Sequence, residues 1–80
     1  MLIVYSVIDP HSPVPYYLQL AALLAEEIET GDLAPGDLVP SETVLRQRYG
    51  VARGTVRSAM RVLREQGLII TTPRGSFVKP

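Results

Sequence analysis

The spacing of apolar residues along the chain predicts three helices. The first covers about residues 15–30, where apolar side chains recur every three or four positions and glutamates occupy the places between them. A second, shorter helix is predicted after Ser41, a residue type that favours helix N-caps; Val44 and Leu45 are predicted to face inward, and the helix ends at Gly50. The third covers about residues 52–66 and is closed by Gly67. The inward positions of the first helix are Tyr17, Leu20, Ala21, Leu24 and Ile28.

The segments outside the helices are marked by proline, glycine and β-branched residues. Three prolines between Pro10 and Pro15 exclude a helix and favour an extended lead-in, so residues 1–14 are predicted to form an extended N-terminal segment. After a turn at Pro35 and Gly36, Leu38 and Val39 offer at most a short extended piece.

Beyond the third helix the pattern changes to that of a β-hairpin. Residues 68–72 are apolar and β-branched, residues 73–75 form a turn signal, and residues 76–79 make a second short strand. The fold class is therefore predicted to be mainly α with a small antiparallel β-hairpin. Three helices followed by such a wing constitute a winged helix-turn-helix domain, predicted over residues 15–80.

The first seven residues have the composition of a strand, from Leu2 to Tyr5. Our hypothesis is that they add to the edge of the wing sheet or pair with a second copy, because an unpaired apolar strand is a sticky edge. A flexible tail is the alternative.

Charge is strongly segregated along the chain. Residues 1–42 hold seven of the eight acids and no Lys or Arg, while residues 43–80 hold all eight basic residues against one acid, Glu65. The formal net charge of zero thus hides a local charge of +7 in the second half. Since binding to a polyanion depends on the field at one face, the neutral total does not exclude nucleic acid.

The third helix carries these charges on one side. Arg53, Arg57, Arg61 and Arg64 form a basic stripe that lies beside an apolar stripe of Ala52, Val56, Ala59 and Leu63. Such a helix packs one flank on a small core and presents the other to the major groove, which predicts a DNA recognition helix. A solvated helix face, or a winged helix used for protein contacts, is the alternative.

Other chemistries find little support in the residues. There is no Cys, the single His11 has no partner of its type, and Ser41 has no His or Asp arranged to activate it. We therefore expect no enzyme activity, no metal and no cofactor. The apolar start lacks a basic flank and is too short to span a bilayer, which leads us to expect a cytoplasmic protein without membrane contact.

Several motifs in register resemble the N-terminal domain of the GntR family of transcription regulators. The Pro-rich lead-in before the tyrosine pair is more similar to the HutC and YtrA branches than to the others. The match runs in order from about Ile8 to Val78, and the segments that carry it are Tyr16–Ala21, Ile28–Asp37, Pro40–Glu42, Gly50–Arg57, Gly67–Leu68 and Gly75–Val78.

The resemblance implies a cytoplasmic regulator that binds an inverted-repeat operator in double-stranded DNA as a homodimer, usually to repress. A ligand-sensing domain normally follows this one in the family, and no effector domain lies within these 80 residues. A small-molecule effector is expected only if the full-length protein has such a C-terminal domain. A domain fragment and a naturally short family member both remain open.

The resemblance also implies roles for individual residues. Arg53 and Arg57 would reach base edges and phosphates, Thr55 would face the groove, and Gly75 would lie beside the DNA backbone. Arginine suits base reading because its planar fork pairs bidentately with guanine. The complete predicted DNA-binding set, with the phosphate ligands included, is Thr43, Arg46, Arg48, Arg53, Gly54, Thr55, Arg57, Arg61, Arg74 and Gly75.

Three positions depart from the family pattern. Ala52 stands where the family usually has Ser or Thr as the helix cap, and Gly54 loosens the same turn. Thr43 stands where Arg is common, and Arg46 is placed to replace that charge. Arg61 is as well suited to a salt bridge with Glu65 as to a DNA contact. An altered set of contacts is expected.

Overall fold

The computed structural model describes residues 8–80, and it has three helices followed by a β-hairpin. The helices are α1 (Tyr16–Thr30), α2 (Glu42–Tyr49) and α3 (Arg53–Glu65), and the strands are β1 (Ile69–Thr72) and β2 (Gly75–Val78). The predicted winged helix-turn-helix is confirmed. Each predicted end of α1, α3 and the two strands lies within one residue of the observed one.

The helix ends follow from local hydrogen bonding. Ser41 caps α2, since its hydroxyl accepts the backbone N–H of Val44 at 3.2 Å. Gly50 ends α2 in the left-handed conformation, with a φ of 65° that glycine adopts without strain. Ala52 precedes α3 in the extended conformation typical of an N-cap but has no side-chain oxygen to offer, as expected from the sequence.

The core lies where α1 packs across α3. The predicted inward stripe of α1 is confirmed, because its five residues are buried or packed against the core. In α2 only Leu45 is buried, and the sequence-based prediction that Val44 also faces inward is wrong, since Val44 is 40% exposed. Neighbouring helical positions point about 100° apart, and α2 turns Leu45 to the core and Val44 towards solvent.

The wing has a third extended segment beside its two strands. Leu38 forms a bridge with Phe77 of β2, and the Val39 N–H donates to the Ser76 carbonyl at 2.8 Å. The short extended piece predicted at residues 38–39 is thus confirmed, and it covers the edge of β2 that β1 leaves open. Ile69 and Val78, a register pair at the base of the hairpin, are 2% and 1% exposed and anchor the wing to the core.

The lead-in differs from the predicted extended form. Residues 10–14 make turns and bends, because the Asp9 carboxylate accepts the N–H of His11 at 2.9 Å and the Ser12 hydroxyl accepts that of Val14 at 3.1 Å. Gln19 of α1 then holds this turn through three hydrogen bonds to its backbone. The strand hypothesis for Leu2–Tyr5 falls outside the described residues. Across residues 8–80, no helix is both long and apolar enough to span a bilayer.

Candidate nucleic-acid interface

A short turn sets the direction of α3 relative to α2. Val51 lies in this turn and is 8% exposed, so a buried side chain pins it to the core. On α3, Val56, Ala59 and Leu63 are buried against the core. The four arginines of α3 are exposed, and the predicted separation of a basic from an apolar stripe is therefore present. Ala52, placed on the apolar stripe by its angle, is exposed at the cap position.

Glu42 at the start of α2 brings Arg53 and Arg57 together. Its Oε1 accepts a hydrogen bond from Arg57 Nε at 3.0 Å, and its Oε2 lies 4.0 Å from Arg53 Nε. The arginine side chains are 59% and 64% exposed, so solvent screens the pairs and their contribution to stability is small. Both contacts use the Nε side of the guanidinium and leave its terminal nitrogens available. These terminal nitrogens form the end of the side chain that pairs with guanine.

Arg64 belongs to the same stripe but points to the wing. Its Nη1 donates to the Thr71 hydroxyl at 3.1 Å, and this hydroxyl lies 2.9 Å from that of Ser76 on the opposite strand. Helical spacing predicts Arg64 on the basic stripe but assigns it no role. The spacing of Arg57 and Arg64 by seven residues signals a shared face, but nothing in the sequence indicates the hydroxyl partners.

The tip of the wing is held by Thr72. Its hydroxyl accepts the N–H of Arg74 at 3.1 Å and donates to the carbonyl of Gly75 at 3.2 Å, which closes the turn. Gly75 has a φ of 130°, and a Cβ built on it would stand 3.0 Å from Leu38 Cδ1. The backbone conformation favours glycine there, and a Cβ would also require the Leu38 side chain to shift by a few tenths of an ångström, independently of any DNA contact. Arg74 is exposed at the tip.

A groove of about 510 Å³ separates α3 from the wing. Its floor is apolar and is formed by Leu38, Val39, Pro40, Leu45, Val56 and Met60. Three guanidinium groups and one carboxylate line its walls, from Arg57, Arg64, Arg74 and Glu42. The charged groups along the groove therefore sum to +2, which suits an anion.

The remaining predicted residues are spread more widely. Thr43 and Arg46 border one shallow depression on α2. Arg48 and Arg61 are exposed and lie outside the groove. Within residues 8–80, Arg61 forms no ion pair with Glu65. Thr55 is half-buried in the first turn of α3, and Gly54 beside it has open space on its surface side.

Behind the basic face, Tyr49 connects α2 to α1. Its hydroxyl donates to Glu27 Oε2 at 3.2 Å. Burial raises the pKa of Tyr49, and the neighbouring Glu27 carboxylate raises this pKa further because it disfavours a second negative charge. Tyr17 packs against the core as predicted, Tyr49 also packs against it, and Tyr16 is 43% exposed. No cluster of three or more potential metal ligands occurs within residues 8–80.

Comparison with known families identifies the chain's relatives. The model of "Bacterial regulatory proteins, gntR family" matches residues 16–78. The mannosyl-D-glycerate transport/metabolism system repressor MngR of Escherichia coli is 42% identical over 66 residues, a match that covers 81% of this chain and 28% of MngR. The chain therefore spans less than a third of this relative's length. A family of regulatory proteins also supports the expectation that the chain is not an enzyme.

Solved structures agree with this fold. YtrA from Sulfolobus acidocaldarius, a GntR-family transcription factor, superposes with a TM-score of 0.85 at 38% identity and covers 91% of this chain and 78% of its own. The DNA-binding domain of AraR in complex with operator ORX1 superposes with a TM-score of 0.82 at 34% identity, over 90% of this chain and 93% of the domain. The family match covers most of the chain, and both sequence and fold agree with it. The chain belongs to the gntR family of bacterial regulatory proteins.

Proposed function

We propose that residues 15–80 form the DNA-binding domain of a transcriptional repressor, which recognises its operator through α3 and the wing. The observation that carries this proposal is the exposed stripe of Arg53, Arg57 and Arg64 beside a groove whose other wall is the wing. Likeness to the AraR domain bound to operator DNA supports the same assignment.

Base reading is assigned to the first two turns of α3. Arg53 and Arg57 are held by Glu42 with their terminal nitrogens free, and this geometry suits bidentate pairing with guanine O6 and N7. Thr55 follows Arg53 by two residues in the first turn of α3 and is half-buried, and the family resemblance assigns its hydroxyl to the groove. Gly54 has no side chain to hold the helix away from the DNA, which favours a close approach of the backbone.

Phosphate binding is assigned to the arginines around this centre. Arg46 and Arg48 on α2, Arg61 on α3 and Arg74 at the wing tip are all exposed. Contacts of this kind set the register on the duplex and carry little sequence information themselves. Thr43 lies beside Arg46 and is assigned to phosphate binding together with it. The backbone at Gly75 is assigned to approach the DNA together with the wing.

Two copies are proposed to act together on an inverted repeat in the cytoplasm. A single winged helix makes a small interface, so tight and specific binding favours a homodimer on two half-sites. MngR is more than three times as long as the matched segment. If the full-length protein has a C-terminal domain, we place a small-molecule effector there.

A winged helix that contacts only other proteins is the second candidate function. A winged helix of that kind is expected to carry apolar residues, or charged residues of both signs, on the exposed side of α3. The exposed side of α3 instead carries four arginines, and its one acid, Glu65, lies in the last turn. The observed charge therefore favours nucleic acid.

Fluorescence anisotropy on a panel of duplexes tests the DNA-binding proposal. The panel includes short inverted repeats with GT and AC half-site steps, and each duplex is titrated at several salt concentrations. We expect a steep decrease of affinity with salt together with a preference among sequences. Arg53→Ala and Arg57→Ala should each cost about 1 to 3 kcal/mol on the preferred duplex.

Lys79→Ala is the matched control for these variants. It also removes one positive charge, but from an exposed residue just after β2 at the base of the wing. We expect it to bind the preferred duplex nearly as the parent does. Equal binding of every duplex by the parent and both α3 variants would rule out the assignment of α3.

A further inference from the structure

The hairpin face that meets α3 changes from apolar to polar along its length. Ile69 and Val78 pair at the base and are buried. Side chains two residues further along a strand lie on the same face, so the next pair on this face is Thr71 and Ser76. Their hydroxyls lie 2.9 Å apart, and Arg64 of α3 donates to Thr71 at 3.1 Å. Contact between α3 and the wing is therefore apolar at the base of the hairpin and is made through hydrogen bonds further out.

On the face that meets α3, the outer part of the wing has no buried apolar pair like the one at its base, while the far edge of β2 is held by residues 38–39. Thr71, Thr72, Pro73 and Arg74 are all exposed, and burial is confined to the base of the hairpin. The bonds of Thr72 close the tip turn but do not connect it to α3. Among the described residues, the bond from Arg64 to Thr71 is the side-chain hydrogen bond that connects the outer wing to α3.

We propose that Arg64 is a positioning residue that holds the wing at a fixed distance from α3, so that Arg74 and the arginines of α3 engage one duplex at the same time. This inference rests on the proposed DNA-binding function and adds a residue outside the predicted DNA-binding set. Arg64 acts through the Thr71 and Ser76 hydroxyls, and it is one of the residues that line the groove.

The hydrogen bond of Arg64 would favour DNA binding because it preorganises the wing relative to α3. Two contact elements with a fixed separation lose less conformational freedom on binding than two that must first be ordered. Once α3 is docked, a tied wing presents Arg74 at a higher effective concentration than a mobile one. Loss of the tie should therefore reduce the benefit from Arg74 without removing any charge.

Thr71→Val tests the tie in the absence of DNA. Valine keeps the shape and β-propensity of threonine and replaces only the hydroxyl group with a methyl group. Trypsin cleaves after Arg74 when the tip opens, so the rate of cleavage of the Arg74–Gly75 bond, followed by mass spectrometry, measures wing mobility. We expect cleavage about fivefold faster, the factor that corresponds to one net hydrogen bond. Ser76→Ala should change the rate in the same direction.

Thr30→Val at the end of α1 is the matched control, because it makes the same chemical change away from the wing. We expect it to leave cleavage at Arg74 unchanged. Equal cleavage rates in the parent, Thr71→Val and Ser76→Ala would overturn the tie.

A double-mutant cycle on the preferred duplex tests the consequence for binding. Arg74→Ala should weaken binding several-fold less in the Thr71→Val background than in the parent, while Thr71→Val alone leaves the salt slope unchanged. Additive effects would overturn the positioning role. So would an Arg64→Ala variant that lowers the salt slope by about one phosphate while Thr71→Val has no effect, because Arg64 would then act as a phosphate ligand.

The cycle and the protease assay separate this inference from the proposed function. A parent that binds no duplex with preference contradicts the DNA-binding proposal, and the cleavage rates still report on the tie. A parent with clear sequence preference and an additive cycle contradicts only the role of Arg64.

Discussion

Gly75 and Gly54 are two glycines near the proposed interface with opposite requirements. Gly75 has a φ of 130°, which side-chain-bearing residues rarely adopt, and a Cβ built on it would stand in tight contact with Leu38, 3.0 Å from Cδ1. Gly54 lies inside α3 in ordinary helical conformation, with no atom within 4 Å of a built Cβ. The structure therefore needs glycine at position 75 but not at position 54.

We expect Gly75→Ala to destabilise the domain by more than about 1 kcal/mol, because the substitution combines backbone strain with a contact to Leu38. Gly54→Ala is the internal control and should stabilise the domain by about 0.5 to 1 kcal/mol, since alanine loses less entropy in a helix. Urea denaturation measures both changes. A neutral Gly75→Ala variant would show that the wing adjusts and that the close contact with Leu38 is not limiting.

At the scale of single residues, the sequence predicted which face of a helix a side chain occupies better than it predicted the partners of that side chain. The arginines of α3 were assigned to an exposed stripe because helical spacing fixes the face of each residue. Glu42 and Thr71 were not assigned to these arginines, since contacts between different elements depend on how the elements pack. The exposure of Val44 has the same origin: periodicity in a short helix does not tell which of two adjacent apolar residues faces the core.

At the scale of secondary structure, the contact between α1 and α2 depends partly on Tyr49. Its hydroxyl bonds to Glu27, and burial together with this carboxylate raises the pKa of Tyr49 above its ordinary value of 10.0. A raised pKa means that the folded state holds the proton more tightly than the unfolded state. The resulting stabilisation is fully present below pH 10 and is lost as the pH rises through the pKa of the folded state.

Tyr49→Phe should therefore cost about 0.5 to 1.5 kcal/mol at pH 7, the typical net value of one hydrogen bond. The difference between parent and variant should shrink as the pH rises above 10, where the parent tyrosine ionises. Chemical denaturation of both proteins at pH 7 and at pH 11 measures this. A difference that stays constant across this range would show that the Glu27 contact does not control the ionisation.

The limits of the helices and strands were predictable because their signals are local. Ser41, Gly50 and Gly67 act within one turn of the helix ends they define, so their effect is visible in the sequence. The lead-in was not predictable in the same way. Prolines exclude a helix there but permit both extended and turn conformations, and the side chains of Asp9, Ser12 and Gln19 decide for a turn.

At the scale of the whole molecule, Glu42 is an acid placed among the basic residues of the interface. Glu42→Gln should increase affinity for duplexes of unrelated sequence, because Arg53 and Arg57 lose their counter-charge. It should also steepen the salt dependence, by at most about 0.9 in slope for each further phosphate neutralised. Anisotropy at several salt concentrations measures both effects.

Glu65→Gln is the matched control for this prediction, because it removes the same charge from the far end of α3. We expect it to have a smaller effect on non-specific affinity and on the salt slope. Equal effects of the two variants would mean that total charge, and not the contact with Arg53 and Arg57, governs non-specific binding.

The segregation of acids and bases has a consequence for the way the domain approaches a duplex. Acids concentrate on α1 and in the loops next to it, while bases concentrate on α2, α3 and the wing, in a molecule 35 × 30 × 21 Å across. At physiological salt the field of DNA decays over about 8 Å. Only the near side of the molecule then feels this field strongly.

With its basic side turned to the DNA, the domain is attracted as a cation, and the acids of α1 and its neighbouring loops lie farther from the duplex, where the field is weaker. In the opposite orientation it is repelled, so the duplex exerts a torque that rotates the protein before contact. At about 0.01 M salt the field extends roughly 30 Å and reaches both sides at once. A further decrease in salt concentration should then no longer increase the association rate of this domain. The association rate of a uniformly basic protein of this size would continue to rise.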